Sequence, residues 1–165
     1  MAKYQEVKDY IFKDWKNNPV KLSNLFGDKE NLILIHNMGM QCPYCTMWAD
    51  GFNGVLQHLE DRASFVVVSP DNPETQKAFA KSRNWKFTML SAEGSSFNRD
   101  MDFESKKGEP MPGVSVFQKT NEGKILRTAK EKFGPGDKYC IVWHFFDLLH
   151  KGSNGWEPKF KYYCQ

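Results

Sequence analysis

The sequence predicts one α/β domain built on a central mixed sheet flanked by helices, and three observations predict it. Two short apolar runs, Leu32–His36 and Phe65–Val68, are each followed by a stretch with helical patterning. That alternation is expected of parallel strands joined by crossover helices. Further on, Asn121-Glu122-Gly123 separates the strand-like runs Val114–Phe117 and Lys124–Thr128, a hairpin signal. A last apolar helical pattern follows the hairpin.

Taken in order, Val7, Tyr10, Ile11, Asp14 and Trp15 fall at helix-like spacing. They predict an amphipathic N-terminal helix over 4–17 that stops at Asn17-Asn18-Pro19. Val20–Lys29 reads as an extended segment and a turn. Leu32–His36 is continuously apolar, as a strand buried on both faces would be. From Cys42 to about Glu60, Trp48, Phe52, Val55, Leu56 and Leu59 recur on one helical face. Gly51 and Gly54 interrupt that helix at about 1 kcal/mol each, which calls for close packing or a kink.

Phe65–Val68 is the second strand. Asp71-Asn72-Pro73-Glu74 marks a helix start with proline in the first turn, and that helix runs to about Asn84. Lys86–Leu90 is a third short strand. Residues 91–110, rich in Ser, Gly, Asn, Asp and Lys, read as a long irregular connection, a length often associated with function, although a flexible surface loop is the plainer reading. Gly134-Pro135-Gly136-Asp137 leads into the final helix, which carries Ile141, Val142, Phe145, Phe146, Leu148 and Leu149. The whole of 1–165 is expected to form one domain, with a core over about 20–150, a helix in 1–19 and a tail over 151–165.

The net charge of +3 is small and dispersed, which argues against nucleic acid as a partner. No apolar run approaches the roughly 18 residues of a membrane span. The N-terminal Met1–Glu6 has no apolar stretch or cleavage site of a secretory signal. Four cysteines at 42, 45, 140 and 164 do not make a disulfide framework for a chain of this size. One close pair with two scattered thiols fits a reducing, cytoplasmic compartment and a working dithiol.

That close pair is Cys42-Pro43-Tyr44-Cys45, placed between the first apolar strand and its helix. Unpaired backbone N–H groups and the positive end of a helix dipole lower the pKa of a sulfur at a helix head, and the thiolate is the nucleophile. A second thiol three residues on can attack the resulting mixed disulfide. This arrangement predicts a thiol–disulfide oxidoreductase acting through Cys42 and Cys45, with no bound cofactor. Its partners would be a protein or small-molecule disulfide and a separate thiol reductant.

Strand, dithiol, helix, strand and hairpin together resemble the thioredoxin fold. The resemblance implies that Pro112, in Met111-Pro112-Gly113-Val114, is a cis-proline facing the dithiol, and that Met111 offers its backbone to a substrate chain. His36 stands six residues before Cys42, where thioredoxins bury an acidic residue that manages the second sulfur's proton. A histidine could do that work near neutral pH; a core histidine satisfied by its neighbours is the alternative. Tyr44 and Trp48 are expected beside the dithiol, Trp48 also being the first core residue of its helix face.

A narrower resemblance runs through Cys42-Pro43-Tyr44-Cys45-Thr46-Met47-Trp48-Ala49-Asp50-Gly51-Phe52-Asn53-Gly54. It is similar to the signature of a bacterial thioredoxin-like family catalogued as domain of unknown function 899. Leu22–Gly27, Trp85-Lys86-Phe87, Phe97–Asp100 and Pro112–Phe117 fit it too. The family is a predicted dithiol–disulfide oxidoreductase family without an assigned substrate, and Cys42, Cys45, Trp48, Asp50 and Gly51 carry over by position. Thr128–Lys132 lacks the family's tyrosines, and Gln41 replaces the tryptophan of true thioredoxins.

Three other readings compete. A structural zinc uses Cys-x-x-Cys spacing but normally needs four ligands, and Cys140 and Cys164 are isolated. A thiol peroxidase is the nearest enzymatic rival, although peroxiredoxins carry a threonine where this chain has Gly39. An interaction module with an idle dithiol is the third. The aromatic tail (Trp156, Phe160, Tyr162, Tyr163) could fold back over an apolar surface or join a homodimer contact.

Overall fold

The structure is a computed structural model and describes residues 4–163. Its centre is an eight-stranded mixed sheet: β1 (Gln5–Val7), β2 (Ile11–Lys13), β3 (Pro19–Lys21), β4 (Asn31–His36), β5 (Ser64–Ser69), β6 (Thr88–Ser91), β7 (Gly113–Lys119) and β8 (Ile125–Lys132). The spatial order is β1-β8-β7-β4-β5-β6-β2-β3. Strands β4, β5 and β6 run parallel, while every other pairing is antiparallel. The helices are α1 (Pro43–Gly54), α2 (Leu56–Arg62), α3 (Pro73–Ser82), α4 (Phe97–Asp100) and α5 (Ile141–Phe146), with a 3-10 turn over Leu22–Phe26.

Side chains alternate across a strand, so the sheet divides the core in two. On one face Ile35, Phe65 and Val67 meet Cys45, Trp48, Ala49 and Phe52 of α1. On the other, Leu32, Leu34, Val66 and Val68 meet Phe12, Phe26, Phe97, Met101 and Phe103. The long helix expected after Cys42 breaks at Val55 (φ −112°, ψ 12°), immediately after Gly54. Gly54 is thus accounted for by the kink. Nothing around Gly51 requires glycine.

Three expectations fail. Residues 4–17 form no helix: β1 pairs with β8, and β2 pairs with β3 and β6. Tyr10 and Phe12, two residues apart, both point into the core, and pairing with existing strands outweighs the weak helical spacing. Asp14 closes the following turn by accepting the N–H groups of Lys16 (2.8 Å) and Asn18 (2.9 Å), and Asn17 adopts φ 64° there. Residues 91–110 are also not a surface loop throughout: residues 106–109 are exposed, but α4 interrupts the run and Phe97, Met101 and Phe103 are fully buried beneath the sheet. The final helix is shorter than its pattern, ending at Phe146 and leaving Leu148 and Leu149 exposed.

Candidate active site

The dithiol lies where the apolar strand β4 ends and α1 begins. Cys42 is the N-cap residue of α1, in extended conformation, with Pro43 in the first turn. A proline there costs no hydrogen bond, since that N–H would have no helical partner. The Cys42 sulfur takes the place of a capping oxygen and accepts the N–H of Cys45 at 3.0 Å. Thr46 locks the turn from inside, its hydroxyl donating to the Cys42 carbonyl at 2.9 Å.

The two sulfurs are electrostatically unlike. Cys42 is half-buried, and its pKa is lowered to about 7. The first cause is a hydrogen bond from the Cys45 thiol; the N–H groups of Cys45 and Tyr44 add to it, and burial opposes it. Cys45 is 2% exposed and pushed far above the ordinary thiol range. Donating to Cys42 is the main cause, with burial and the Cys42 charge reinforcing it, while the Met38 N–H (3.3 Å) acts the other way. Both thiols are free. The arrangement therefore holds a ready nucleophile above a protonated partner.

The segment linking β4 to Cys42 is held throughout. Asn37 N–H donates to Val68 O (2.9 Å), Gly39 N–H to the Asn37 side chain (2.8 Å), Met40 N–H to Asp71 Oδ2 (2.8 Å) and Cys42 N–H to Gly39 O (3.1 Å). Gly39 adopts φ +108°, a conformation in which a side chain is strained. A Cβ there would also stand 3.0 Å from both Asp71 carboxylate oxygens.

The other expected site residues are placed differently. Tyr44 is half-buried between Trp48 and Trp143, 6.2 Å from each ring. Trp48 is core, 5.4 Å from the Phe133 ring. Asp50 points away from the sulfurs: it accepts from Trp85 Nε1 at 2.8 Å and from the Arg83 guanidinium. Asn53 adds a second clamp to the same turn, accepting the Lys86 N–H at 2.7 Å. The Asp50 and Asn53 of the signature thus fasten the turn after α3 to α1.

His36 does not serve the dithiol. It shares a strand face with Leu32 and Leu34, opposite Ile35 and Cys45, and is 2% exposed. Its ring lies 3.9 Å from Phe103 and 5.4 Å from Phe97, bonded to Asn98 (3.1 Å) and Ser115 (2.8 Å). Burial, the main cause, lowers its pKa to about 3.

The Met111–Pro112 bond is trans, since there are no cis peptide bonds among the described residues. Trans is the preferred X-Pro isomer by about 0.5–1 kcal/mol. Two flanking bonds keep the segment extended into β7: Met111 N–H to Phe103 O (2.9 Å) and Phe133 N–H to Pro112 O (3.0 Å). Cys140 is buried at the N-cap position of α5, where its side chain makes no capping bond, and Cys164 lies outside the described residues.

Sequence reading missed Asn37, Gly39 and Asp71. The available signal was a glycine three residues before the nucleophile and an aspartate just before an Asn-Pro helix start.

Comparison with known proteins agrees with this architecture. The family model described as bacterial protein of unknown function (DUF899) matches residues 4–164. A chloroplastic peroxiredoxin Q of Sedum lineare is 27% identical over 127 residues, covering 76% of this chain and 67% of that protein. The curated relatives are longer, this chain spanning 58% of one from Triticum aestivum. The crystal structure of peroxidoxin BcpB from Mycobacterium tuberculosis matches with a TM-score of 0.61 and 26% identity, over 80% of this chain and 86% of that one. Reduced Prx3 in complex with H2O2, from Vibrio vulnificus, gives a TM-score of 0.67 at 16% identity, over 83% and 90%. The fold is thioredoxin-like. No helix among the described residues is long and apolar enough to cross a membrane.

Proposed function

The chain belongs to the bacterial family of unknown function DUF899, and from that membership and the Cys42–Cys45 geometry we propose that it is a thiol–disulfide oxidoreductase. The observation that carries the reading is the asymmetry of the pair. Cys42 has a pKa near 7 and a sulfur capped by the Cys45 N–H, whereas Cys45 is buried and holds its proton.

In the first step the Cys42 thiolate attacks one sulfur of a substrate disulfide, forming a mixed disulfide and expelling a thiolate. In the second, Cys45 attacks Cys42, the remaining substrate thiolate leaves, and the Cys45 proton passes to it. The Cys42–Cys45 disulfide is then returned to the dithiol by two equivalents of an external thiol, which leave joined as their own disulfide. In this reading a substrate chain lies along Met111 and Pro112, which are half-buried and immediately precede β7. A reducing cytoplasm suits this cycle.

Peroxide reduction is a second reading, favoured by the likeness to peroxiredoxin Q. There the Cys42 thiolate would take one peroxide oxygen to form a sulfenic acid, the alkoxide leaving as an alcohol, and Cys45 would condense with it to a disulfide and water. Gly39, three residues before the nucleophile, supplies no hydroxyl for the peroxide.

Turnover of hydroxyethyl disulfide and of hydrogen peroxide, each with dithiothreitol as reductant, tests both readings. We expect disulfide turnover that Cys42→Ser abolishes and Cys45→Ser lowers at least tenfold. Peroxide consumption without disulfide turnover would replace the first reading by the second, and absence of both would overturn the enzyme assignment.

A further inference from the structure

The second step above forms a thiolate on a sulfur that apolar side chains surround. Ionising a buried group without compensation is costly, and neither of the groups a thioredoxin-like site could have used is present. His36 is on the opposite face of the sheet, bonded to Asn98 and Ser115. Asp50 is bound to Arg83 and Trp85. What does reach Cys45 Sγ is the backbone N–H of Met38, at 3.3 Å.

We propose, building on the oxidoreductase reading, that the Met38 N–H is the catalytic donor that stabilises the Cys45 thiolate during resolution, and that Asp71 is the positioning residue that aims it. A backbone donor oriented beforehand at a developing anion needs no rearrangement when the charge appears. The direction of that donor is set by the loop, and the loop is set from outside. Asp71 accepts the Met40 N–H on one side of Gly39 and packs its carboxylate against Gly39 itself. The Asn37 side chain accepts the Gly39 N–H on the other.

Asp71 is in turn fixed to the sheet, its carbonyl accepting the Ser91 hydroxyl at 2.6 Å. Left without these acceptors, the segment keeps its end bonds, Asn37 N–H to Val68 O and Cys42 N–H to Gly39 O, while the Met38 peptide between them is freer to rotate away from Cys45. Because Cys42 draws its own hydrogen bonds from Tyr44, Cys45 and the helix head, loss of Asp71 leaves the attacking sulfur supported and weakens only the resolving one.

The two half-reactions separate with 5,5′-dithiobis(2-nitrobenzoate), in protein carrying Cys140→Ala and Cys164→Ser so that only the dithiol reacts. The first nitrothiobenzoate is released when Cys42 attacks, and the second when Cys45 displaces it from Cys42, its proton passing to solvent. In Asp71→Ala we expect the first phase within twofold of the parent and the second slowed about tenfold. Asp71→Asn keeps an oxygen for Met40 and should restore the second phase to within threefold.

Equal slowing of both phases in Asp71→Ala, or no slowing of either, overturns the inference. So does an Asn variant as slow as the Ala variant, which would make the charge and not the bond the active element. The unchanged first phase also reports that the variant is folded around Cys42. A parent protein with no first phase would instead overturn the oxidoreductase reading, and this inference with it.

Discussion

The backbone N–H of Cys45 donates to the Cys42 sulfur at 3.0 Å, while the Cys45 thiol donates to the same sulfur from its side chain. One residue therefore supplies two donors to the nucleophile. Alkylation of Cys42 by iodoacetamide should accelerate with pH around an inflection near 7. In Cys45→Ala the inflection should move up toward the ordinary thiol value of about 8.5, because the main lowering contact is gone while the N–H remains. An unmoved inflection would show that the helix head alone sets the reactivity.

The same pair makes the reduced protein's stability depend on pH in two opposite ways. Cys42 has a depressed pKa, so its contribution is complete above the unfolded thiol value and is lost as pH falls through about 7. Cys45 has a raised one, so its contribution is complete below the unfolded value and declines above it. Between pH 7 and about 8.5 the unfolded chain binds one more proton than the native one, and stability rises; above that the difference changes sign. Urea midpoints of the reduced protein should therefore peak near pH 8.5. The peak should vanish in a variant with alanine at both positions.

His36 should remain neutral in the native protein down to acid pH, since its pKa is lowered to about 3. The unfolded imidazole titrates near 6.5, so from there downward the unfolded state takes up a proton that the native state refuses. Stability should fall with a slope approaching about 1.4 kcal/mol per pH unit from this group. His36→Ala should remove that slope. It should also cost about 2–4 kcal/mol, by opening a cavity beneath Phe103 and leaving Asn98 and Ser115 unpaired. A resonance assigned to the His36 imidazole that titrates between pH 5 and 8 would contradict the burial.

Asp50→Ala should cost about 1–2 kcal/mol, since it removes the acceptor for Trp85 Nε1 and the Arg83 guanidinium at a half-exposed site. The pH profile of Cys42 alkylation should stay within experimental error of the parent. A shifted profile would restore Asp50 to the dithiol.

Gly113→Ala tests the junction where Pro112 enters β7. A Cβ at this position would lie 2.2 Å from Phe103 Cε1 and 2.4 Å from the carbonyl oxygen of Glu131. The carbonyl belongs to the paired strand and cannot withdraw, so the substitution should destabilise by about 1–3 kcal/mol. Chemical denaturation measures it directly.

The parallel core was legible because Leu32–His36 and Phe65–Val68 are continuous apolar runs, and Asn72-Pro73 caps the helix between β5 and β6 as its residue types imply. The N-terminus misled because Val7, Tyr10, Ile11 and Trp15 fit a helical wheel. The competing signal, Tyr10 and Phe12 two residues apart, has meaning only once β8 and β6 offer edges to pair with. At the site, Cys42, Pro43 and Cys45 could be read directly from spacing. The exclusion of His36 was also there to be read, since it has the same strand parity as Leu32 and Leu34 and the opposite parity to Ile35. Asp71 could not be found that way: it lies far along the chain from Met40, and only the folded loop brings the two together.

The outermost strands of the sheet, Gln5–Val7 and Pro19–Lys21, are each three residues long, and the second contains a proline that offers no N–H. So short a border gives a neighbouring chain little main chain to zip onto, which protects a wide, apolar-cored sheet from growing into fibres. The apolar side chains that do stand in solvent, Ile141, Phe145 and Leu148, lie instead on and just beyond α5, away from any strand edge.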